Sequence, residues 1–313
     1  MLNKKFTKEG KMGKNRVGIL VSILFLAIIL ISCMEQKEQE VIQYTITDSI
    51  HFGTPTSFIR FEKIENGFIG LNWNERRVEL ISETGKLLSF CGKKGNGPGE
   101  FINPFSMEIY NEYIYVGDTS RGKVIICKLH PVTQQISYHT EFMAEGGMWG
   151  IAIMNNENIF ITRPGIKKNL ALFNAAGEVK SNFIATKLDK FDTRENLLNS
   201  VCSIKIAGKN ICLFYIHQKK LVFYRFSDGQ LTKIKEINNK NFNKPLETDG
   251  SNFYIGYSIT DTTYSNYKVY NKVGEFEGDI LLQEHFYCIT FSKNSSIWGL
   301  KPEKYDYIYL AEP

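Results

Sequence analysis

A short strand pattern recurs six times along the chain at intervals of about 45 residues, and glycine turns keep step with it. Almost no stretch after residue 41 carries apolar residues at the three-and-four spacing of an amphipathic helix. Together these observations predict an all-β fold. The expected architecture is a six-bladed β-propeller of four-stranded antiparallel blades that occupies residues 41–313.

The recurring strand is a run of four mostly aliphatic and aromatic residues, as is typical of a short strand buried on both faces. Its six copies are 68–71 (FIGL), 113–116 (YIYV), 159–162 (IFIT), 211–214 (ICLF), 253–256 (FYIG) and 297–300 (IWGL). Spacing this even indicates one supersecondary unit repeated along the chain.

Turn signals follow the strand in five of the six units, at Gly85, Gly177, Gly229 and Gly274, with a turn that lacks glycine at residues 131–135. Glycine supplies the positive φ that tight hairpins require. The second unit shows the full pattern of four short strands, at 105–110, 113–117, 124–129 and 136–142. A four-stranded meander of this length is typical of a propeller blade.

The two ends of the chain predict how the ring closes. After Trp298 there is room for one more strand, at 307–310, whereas an extra strand at 41–46 precedes the first unit. An open row of blades would leave an edge free to pair with other chains. We therefore expect the N-terminal strand to complete the last blade as its outermost member.

One loop carries a family resemblance. Residues 90–104, FCGKKGNGPGEFINP, resemble the interblade loop of NHL-type repeats, and YIYVGD follows at 113–118. The residues that carry the resemblance are Gly95, Gly97, Pro98, Gly99, Glu100 and Phe101. The combination is most similar to the six-bladed, TolB-like propeller lipoproteins of Gram-negative bacteria. This resemblance implies architecture and export more than chemistry, and the loop has neither the closing lysine nor the following helix of a phosphate loop.

The N-terminal 40 residues have the pattern of an export signal. A basic segment precedes an uncharged run at 17–31, which ends in LISC at 30–33 and is followed by the polar stretch 34–40. This ending resembles a bacterial lipobox. It predicts a signal peptide at 1–32, lipidation at Cys33 and a linker at 33–40, with the protein held on the outer membrane of the cell envelope. The alternative is an uncleaved membrane anchor in which Cys33 is incidental.

Charge and cysteine usage limit which binding partners the chain is expected to have and which roles its cysteines are expected to play. The net charge of +5 belongs to the N-terminal segment, because basic and acidic residues are equal in number once it is removed. Nucleic acid is therefore not an expected partner. The five cysteines after Cys33 show neither paired spacing nor metal-ligand spacing, and they are interpreted as small buried apolar residues.

The loops on one propeller face supply the candidate ligand-binding residues. These are Trp73, Arg76, Asp118, Arg121, Trp149, Arg163, Lys167, His217, Asp261 and Tyr264. Basic and aromatic groups outnumber acids among them, which would suit an anionic or sugar-like ligand or an acidic patch on a protein. The alternative is an ordinary solvated loop surface.

No catalytic constellation is recognisable in the sequence, and its five histidines are scattered over different units. The sequence therefore favours a noncatalytic recognition module for a protein, peptide or glycan, with no cofactor and no metal. The alternative is a metal-dependent hydrolase, lactonase or lyase with Asp118 and Asp261 at the channel mouth. In NHL-like blades, however, an aspartate at the position of Asp118 usually holds a turn, and that is the favoured interpretation. A structural envelope subunit is a third hypothesis.

Overall fold

The computed structural model describes residues 41–52, 57–144, 147–183, 194–257, 265–282, 284–291, 296–301 and 304–313. The predicted signal peptide, Cys33 and the linker up to residue 40 lie outside the described residues, as do Asp261 and Tyr264. Within the described ranges, no helix is long and apolar enough to cross a membrane.

Residues 41–313 form a compact unit that is almost entirely β-structure. Four of its sheets have four antiparallel strands each. The first sheet contains β2 (Phe58–Ile64), β3 (Gly67–Asn72), β4 (Arg77–Ile81) and β5 (Leu87–Cys91). The second contains β6 (Pro104–Tyr110), β7 (Tyr113–Asp118), β8 (Lys123–His130) and β9 (Gln135–Met143).

The third sheet contains β10 (Ile151–Asn155), β11 (Asn158–Thr162), β12 (Leu170–Phe173) and β13 (Val179–Phe183). The fourth contains β14 (Cys202–Ala207), β15 (Asn210–Tyr215), β16 (Lys220–Ser227) and β17 (Gln230–Asn238). A short helix, α1 (Arg194–Asn199), precedes the fourth sheet. Each sheet is a meander, and their arrangement is propeller-like.

The remaining strands form one eight-stranded sheet. In chain order they are β1 (Val41–His51), β18 (Phe242–Thr248), β19 (Asn252–Tyr257), β20 (Ser265–Asn271), β21 (Phe276–Leu282), β22 (Cys288–Phe291), β23 (Ile297–Lys301) and β24 (Lys304–Glu312). Across the sheet the order is β18-β19-β20-β21-β1-β24-β23-β22. The predicted six separate four-stranded sheets are therefore not observed, since four are separate and the last two repeats share one sheet.

Strand β1 is the reason for this difference. Its second half pairs antiparallel with β24, from Thr45 opposite Glu312 to His51 opposite Tyr307. Its first half pairs in parallel with β21, from Val41 opposite Asp279 to Tyr44 opposite Leu282. Of the strand predicted at 41–46 as the outermost member of the last blade, residues 45 and 46 pair with the C-terminal strand, whereas residues 41–44 pair with β21. The parallel half was not predicted, and it joins two sets of strands into one sheet.

The predicted glycine turns have the expected backbone conformation. Gly85, Gly177, Gly229 and Gly274 have φ values of 79°, 82°, 73° and 84°. In the turn that lacks glycine, Gln134 takes the left-handed conformation with a φ of 50°. Each of these turns therefore contains a residue with a positive φ, whether or not that residue is glycine.

The core lies between the sheets. Among the described residues, six apolar clusters each join one repeat to the next. One of them packs Phe58 and Phe68 of the first sheet against Leu300 and Ile308 of the C-terminal strands. The ring of Trp298 also lies 5.0 Å from that of Phe68, edge to face.

The first strands of successive repeats pack side by side. Contacts join β2 to β6, β6 to β10, β10 to β14, β14 to β18, β18 to β22 and β22 to β2. Tyr287, just before β22, donates a hydrogen bond of 2.8 Å from its hydroxyl to the carbonyl oxygen of Phe58. This packing brings the first strands of distant repeats to one place.

The contact between β1 and the first sheet is testable at Gly85. A Cβ at this residue would lie 1.9 Å from the carbonyl oxygen of His51, whereas no atom lies within 4 Å of a Cβ at Gly229. Both residues have a positive φ, which costs alanine about 1–2 kcal/mol. We expect Gly229→Ala to lose roughly that amount of stability in urea unfolding and Gly85→Ala to lose at least about 3 kcal/mol. Equal losses would show that His51 is not packed on this turn.

Candidate functional site

Charged side chains from four first strands meet at the centre of the molecule. They are Arg60 on β2, Glu108 on β6, and Lys205 on β14 with Glu247 on β18, and we call these four residues the central charge cluster. Lys205 Nζ lies 2.6 Å from Glu108 Oε1 and 3.3 Å from Glu247 Oε2. All three of these side chains are less than one fifth exposed. Charges this far from bulk water need partners, and the cluster supplies them.

The cluster separates two cavities. Arg60, Glu108, Lys205 and Glu247 line both of them, together with Met107. The upper cavity, of about 150 Å³, lies at the first residues of strands β6, β10 and β14. The lower cavity, of about 670 Å³, lies at the last residues of β2, β18 and β22. The two cavities are therefore entered from opposite ends of the first strands.

The upper cavity combines aromatic, apolar and polar groups. The rings of Phe105 and Trp149 are 4.5 Å apart between centroids, and the guanidinium of Arg60 lies 5.5 Å from the Phe105 ring. Ser106 also lines the cavity and is buried, and its Oγ has no hydrogen-bond partner among the described residues. The remaining lining residues are Met107, Gly150, Ile151, Ser203, Ile204, Phe214, Ile216, Asn243 and Leu246 beside the central charge cluster.

Burial perturbs the carboxylates around the cluster. Glu62, which faces the lower cavity, has its pKa raised from 4.5 to about 8 by burial and by repulsion from Glu108. Burial also raises the pKa of Glu108, although Lys205 opposes this shift. Burial alone would lower the pKa of Lys205, but Glu108 and Glu247 outweigh it and raise that pKa above its ordinary value. Lys205 therefore stays protonated.

Among the predicted site residues that the structure describes, Trp149 is the one that lines the upper cavity. Trp73 and Arg76 lie on the β3–β4 loop, where the Arg76 guanidinium stacks 3.8 Å from the Trp73 ring. Trp73 Nε1 donates to Asn103 Oδ1 at 3.1 Å, and Arg121 donates to the carbonyl oxygen of Asn96. These loops are in contact with one another, as a shared face requires, but their predicted ligand residues do not line the cavity.

Asp118 is buried and its carboxylate organises a loop. It accepts backbone N–H hydrogen bonds from Ile102 at 2.6 Å, Asn103 at 3.2 Å and Ser120 at 3.1 Å. This is the turn-holding role that the sequence favours for Asp118. Within the described part of the chain, no three His, Cys, Asp or Glu residues group in a way that could hold a metal ion.

The other predicted residues lie apart from the cavities. Arg163 is buried and donates hydrogen bonds to the carbonyl oxygen of Lys168 and to Asn182 Oδ1. Lys167 and His217 are exposed, and neither lines the upper or the lower cavity. Their positions give no support for a role in binding at the channel.

The loop at residues 90–104, which carries the family resemblance, packs between the first two sheets. Glu100 Oε2 accepts the Gly97 N–H at 2.8 Å, and Gly95 N–H donates to the carbonyl oxygen of Phe101 at 3.1 Å. A Cβ at Gly95 would lie 2.1 Å from Glu100 Oε2, so any other residue there would require the Glu100 side chain to move. Phe101 is fully buried in the apolar cluster that joins the two sheets. These contacts explain the motif without a ligand.

Sequence reasoning missed Arg60, Phe105, Glu108, Lys205 and Glu247. A signal was present, because each first strand of four repeats carries a charge among apolar neighbours, as in FIRFEKI at 58–64 and CSIKIA at 202–207. A charge at such a position is expensive unless it faces a cavity or a partner. The sequence could not show that these charges face one another.

Comparison with known proteins shows the fold. No family model matches the chain, and no curated protein sequence matches it. A Bacteroides fragilis protein named "putative exported protein" aligns over 87% of this chain and 99% of its own length, with 10% identity and a TM-score of 0.60. The chain shares its propeller-like fold with this protein.

Two further solved structures are similar in fold to this chain. A Bacteroides uniformis protein named "putative 6-phosphogluconolactonase" covers 82% of this chain and 80% of its own, with 12% identity and a TM-score of 0.54. A Bacteroides fragilis protein of the same name covers 80% and 78%, with 13% identity and a TM-score of 0.53. Identities this low show the fold alone.

The raised pKa of Glu62 predicts a pH-dependent stability. Its folded pKa of about 8 lies above the ordinary 4.5, so its contribution is fully favourable below about pH 4.5 and is lost as the pH rises through 8. Glu62→Gln should remove this loss and be more stable than wild type at pH 8.5 by on the order of 2 kcal/mol. Urea unfolding at pH 5 and pH 8.5 measures the difference.

The neighbouring Glu65 provides the control, because it lines the same lower cavity but is exposed. Glu65→Gln should keep the wild-type difference between the two pH values. If Glu62→Gln also keeps that difference, Glu62 is not in the buried environment described here.

Proposed function

We propose that this chain is an exported, lipid-anchored, six-bladed β-propeller that binds a neutral sugar unit of a glycan in its upper cavity. It acts as a noncatalytic recognition module at the cell envelope. The observation that carries this proposal is the upper cavity itself, which places an aromatic pair beside two cations and two carboxylates.

The ligand chemistry follows from the balance of charges. Arg60 and Lys205 are opposed by Glu108 and Glu247 within one cavity, so a strongly anionic or cationic ligand would meet repulsion as well as attraction. A sugar hydroxyl both donates and accepts hydrogen bonds, and the cavity offers donors, acceptors and the unpartnered Ser106 Oγ. The apolar face of a sugar ring packs well on aromatic rings such as Trp149.

Six blades are supported by packing and pairing. Six apolar clusters join consecutive repeats, and the sixth joins the first sheet to the C-terminal strands. The eight-stranded sheet divides into β18–β21 and β22–β24 with β1, because only the short parallel segment of β1 connects the two halves. In this proposal β1 completes the sixth blade and closes the ring.

Export is supported by the N-terminal sequence. The uncharged run at 17–31 and the LISC motif ending at Cys33 have the pattern of a lipoprotein signal. A protein of similar fold from Bacteroides fragilis is named as exported. The anchor would hold the propeller on the outer membrane by its N-terminus.

The ligand site is tested by binding to a glycan array, followed by calorimetric titration with the best ligand. Trp149→Ala should weaken binding by about tenfold or more, because it removes one stacking ring of the upper cavity. Trp73→Ala is the matched control, since Trp73 is exposed on the same face but does not line the cavity. Absence of any saturable glycan, or equal losses in the two variants, would exclude the proposed site.

Lipidation is tested by growing the native host with labelled palmitate. The wild-type chain should incorporate label, and Cys33→Ser should not, because a serine hydroxyl does not form the thioether. An unlabelled wild type, or a labelled Cys33→Ser chain, would show that Cys33 is not the lipidation site. Membrane fractionation of the same cells should place the wild type in the outer membrane and release part of the variant.

A further inference from the structure

Two buried thiols meet at the interface between the first and second sheets. Cys91 is the last residue of β5, and Cys127 lies in β8 of the next sheet. Their Sγ atoms are 2.8 Å apart, and both side chains belong to the apolar cluster that joins the two sheets. Both residues are free thiols in this structure.

We propose that Cys91 and Cys127 form a covalent cross-link between the first two repeats, a disulfide made when the chain meets a disulfide oxidant. A disulfide bond is about 2.05 Å long, so the two sulfur atoms need to approach by less than about 1 Å. Each cysteine lies in a β-strand packed in the core, and each already points its sulfur at the other. Little backbone movement is therefore required.

The surroundings favour this pair over the other cysteines. Cys202, Cys212 and Cys288 are also buried, but among the described cysteines Cys91 and Cys127 are the two whose sulfur atoms are in contact. The hydrogen bond from Cys127 lowers the pKa of the Cys91 thiol, and the same contact raises that of Cys127. Cys91 is therefore the thiol that more readily becomes the attacking thiolate.

The chemistry is thiol–disulfide exchange with an external disulfide, either a small-molecule disulfide or the oxidised active site of a thiol oxidoreductase. The Cys91 thiolate attacks one sulfur of that disulfide and expels the other as a thiolate, which takes up a proton. Cys127 then loses its proton and attacks Cys91 Sγ, and this expels the second external thiol. Two protein thiols have lost two electrons and two protons, and one external disulfide has become two thiols.

The site is almost closed in the folded protein, since Cys91 is 5% exposed and Cys127 is fully buried. The exchange therefore takes place as the first two sheets come together during folding. The cross-link would tie β5 to β8 beside the loop at residues 92–103 that connects the two sheets. It would make that interface resist separation, because the unfolded chain would be closed into a loop.

The cross-link in cells rests on the proposed export, because thiols stay reduced in the cytoplasm and are oxidised in the envelope. The claim that the two sulfur atoms are placed to form a disulfide does not depend on export. A full-length protein that is denatured, reduced and refolded with a mixture of reduced and oxidised glutathione tests the geometry alone. After denaturing alkylation, peptide mass mapping should find Cys91 and Cys127 joined and lighter by two hydrogens, with Cys202, Cys212 and Cys288 alkylated.

A thermal unfolding series measures the consequence. Reduction of the oxidised wild type should lower the melting temperature by about 5–10 °C, given the size of the loop that the bond closes. Cys91→Ala/Cys127→Ala should show no such shift, whereas Cys288→Ala, which removes a different buried thiol, should keep it. If the double variant does not fold, mass mapping of the wild type still decides.

The proposal is overturned if the refolded wild type carries Cys91 and Cys127 as alkylated thiols, or if either is joined to another cysteine. Mapping of the protein taken directly from cells is the separate test of location. If the bond forms in vitro but both thiols are free in protein from cells, the cross-link site stands and the result counts against export.

Discussion

The structure depends on the packing of apolar sheet faces against one another. Strands β3 and β15 are buried along their whole length, so the sheets that contain them are covered on both faces. A four-stranded sheet with two apolar faces is not stable alone, and each sheet here is covered by its neighbours in the chain. The first and last repeats would each keep one bare face unless they met. Phe58 and Phe68 meet Leu300 and Ile308 for this reason, and the proposed closed ring follows from that contact.

Radial packing also creates the candidate site. When the first strands of successive repeats lie side by side, a charge on one strand can reach a charge on a strand two repeats away, as Glu108 reaches Lys205. A buried group of this kind costs desolvation energy that hydrophobic side chains would not, and the role we propose for it is therefore ligand recognition and not stability. The aromatic pair of Phe105 and Trp149 lies immediately above it. The same geometry that buries the core thus leaves a small, mixed polar and aromatic cavity at the axis.

The repeat, the glycine turns and the pairing of β1 with β24 were predictable because each depends on local pattern or on the positions of the chain ends. Gly85 and Gly274 indicate hairpins from the local sequence alone, independently of how the rest of the chain folds. The parallel pairing of β1 with β21 was not predictable, since it depends on how strands far apart in the chain are placed. The central charge cluster was missed because Arg60 and Glu247 become neighbours only through the packing of whole repeats. The predicted loop residues do lie on loops that contact one another. The sequence predicted only that these residues are exposed, and this was not enough to show that Trp149 lines the cavity whereas Trp73 lies outside it.

A double-mutant cycle between Phe68 and Trp298 tests most directly whether the first and last repeats pack together. Their rings are 5.0 Å apart in edge-to-face contact, although one belongs to β3 and the other to β23. Free energies of unfolding are needed for wild type, Phe68→Ala, Trp298→Ala and the double variant. A closed ring predicts a coupling energy of about 0.5–1.5 kcal/mol. A coupling energy indistinguishable from zero would mean that the two repeats do not touch, and the account of a closed ring with a site at its axis would be wrong.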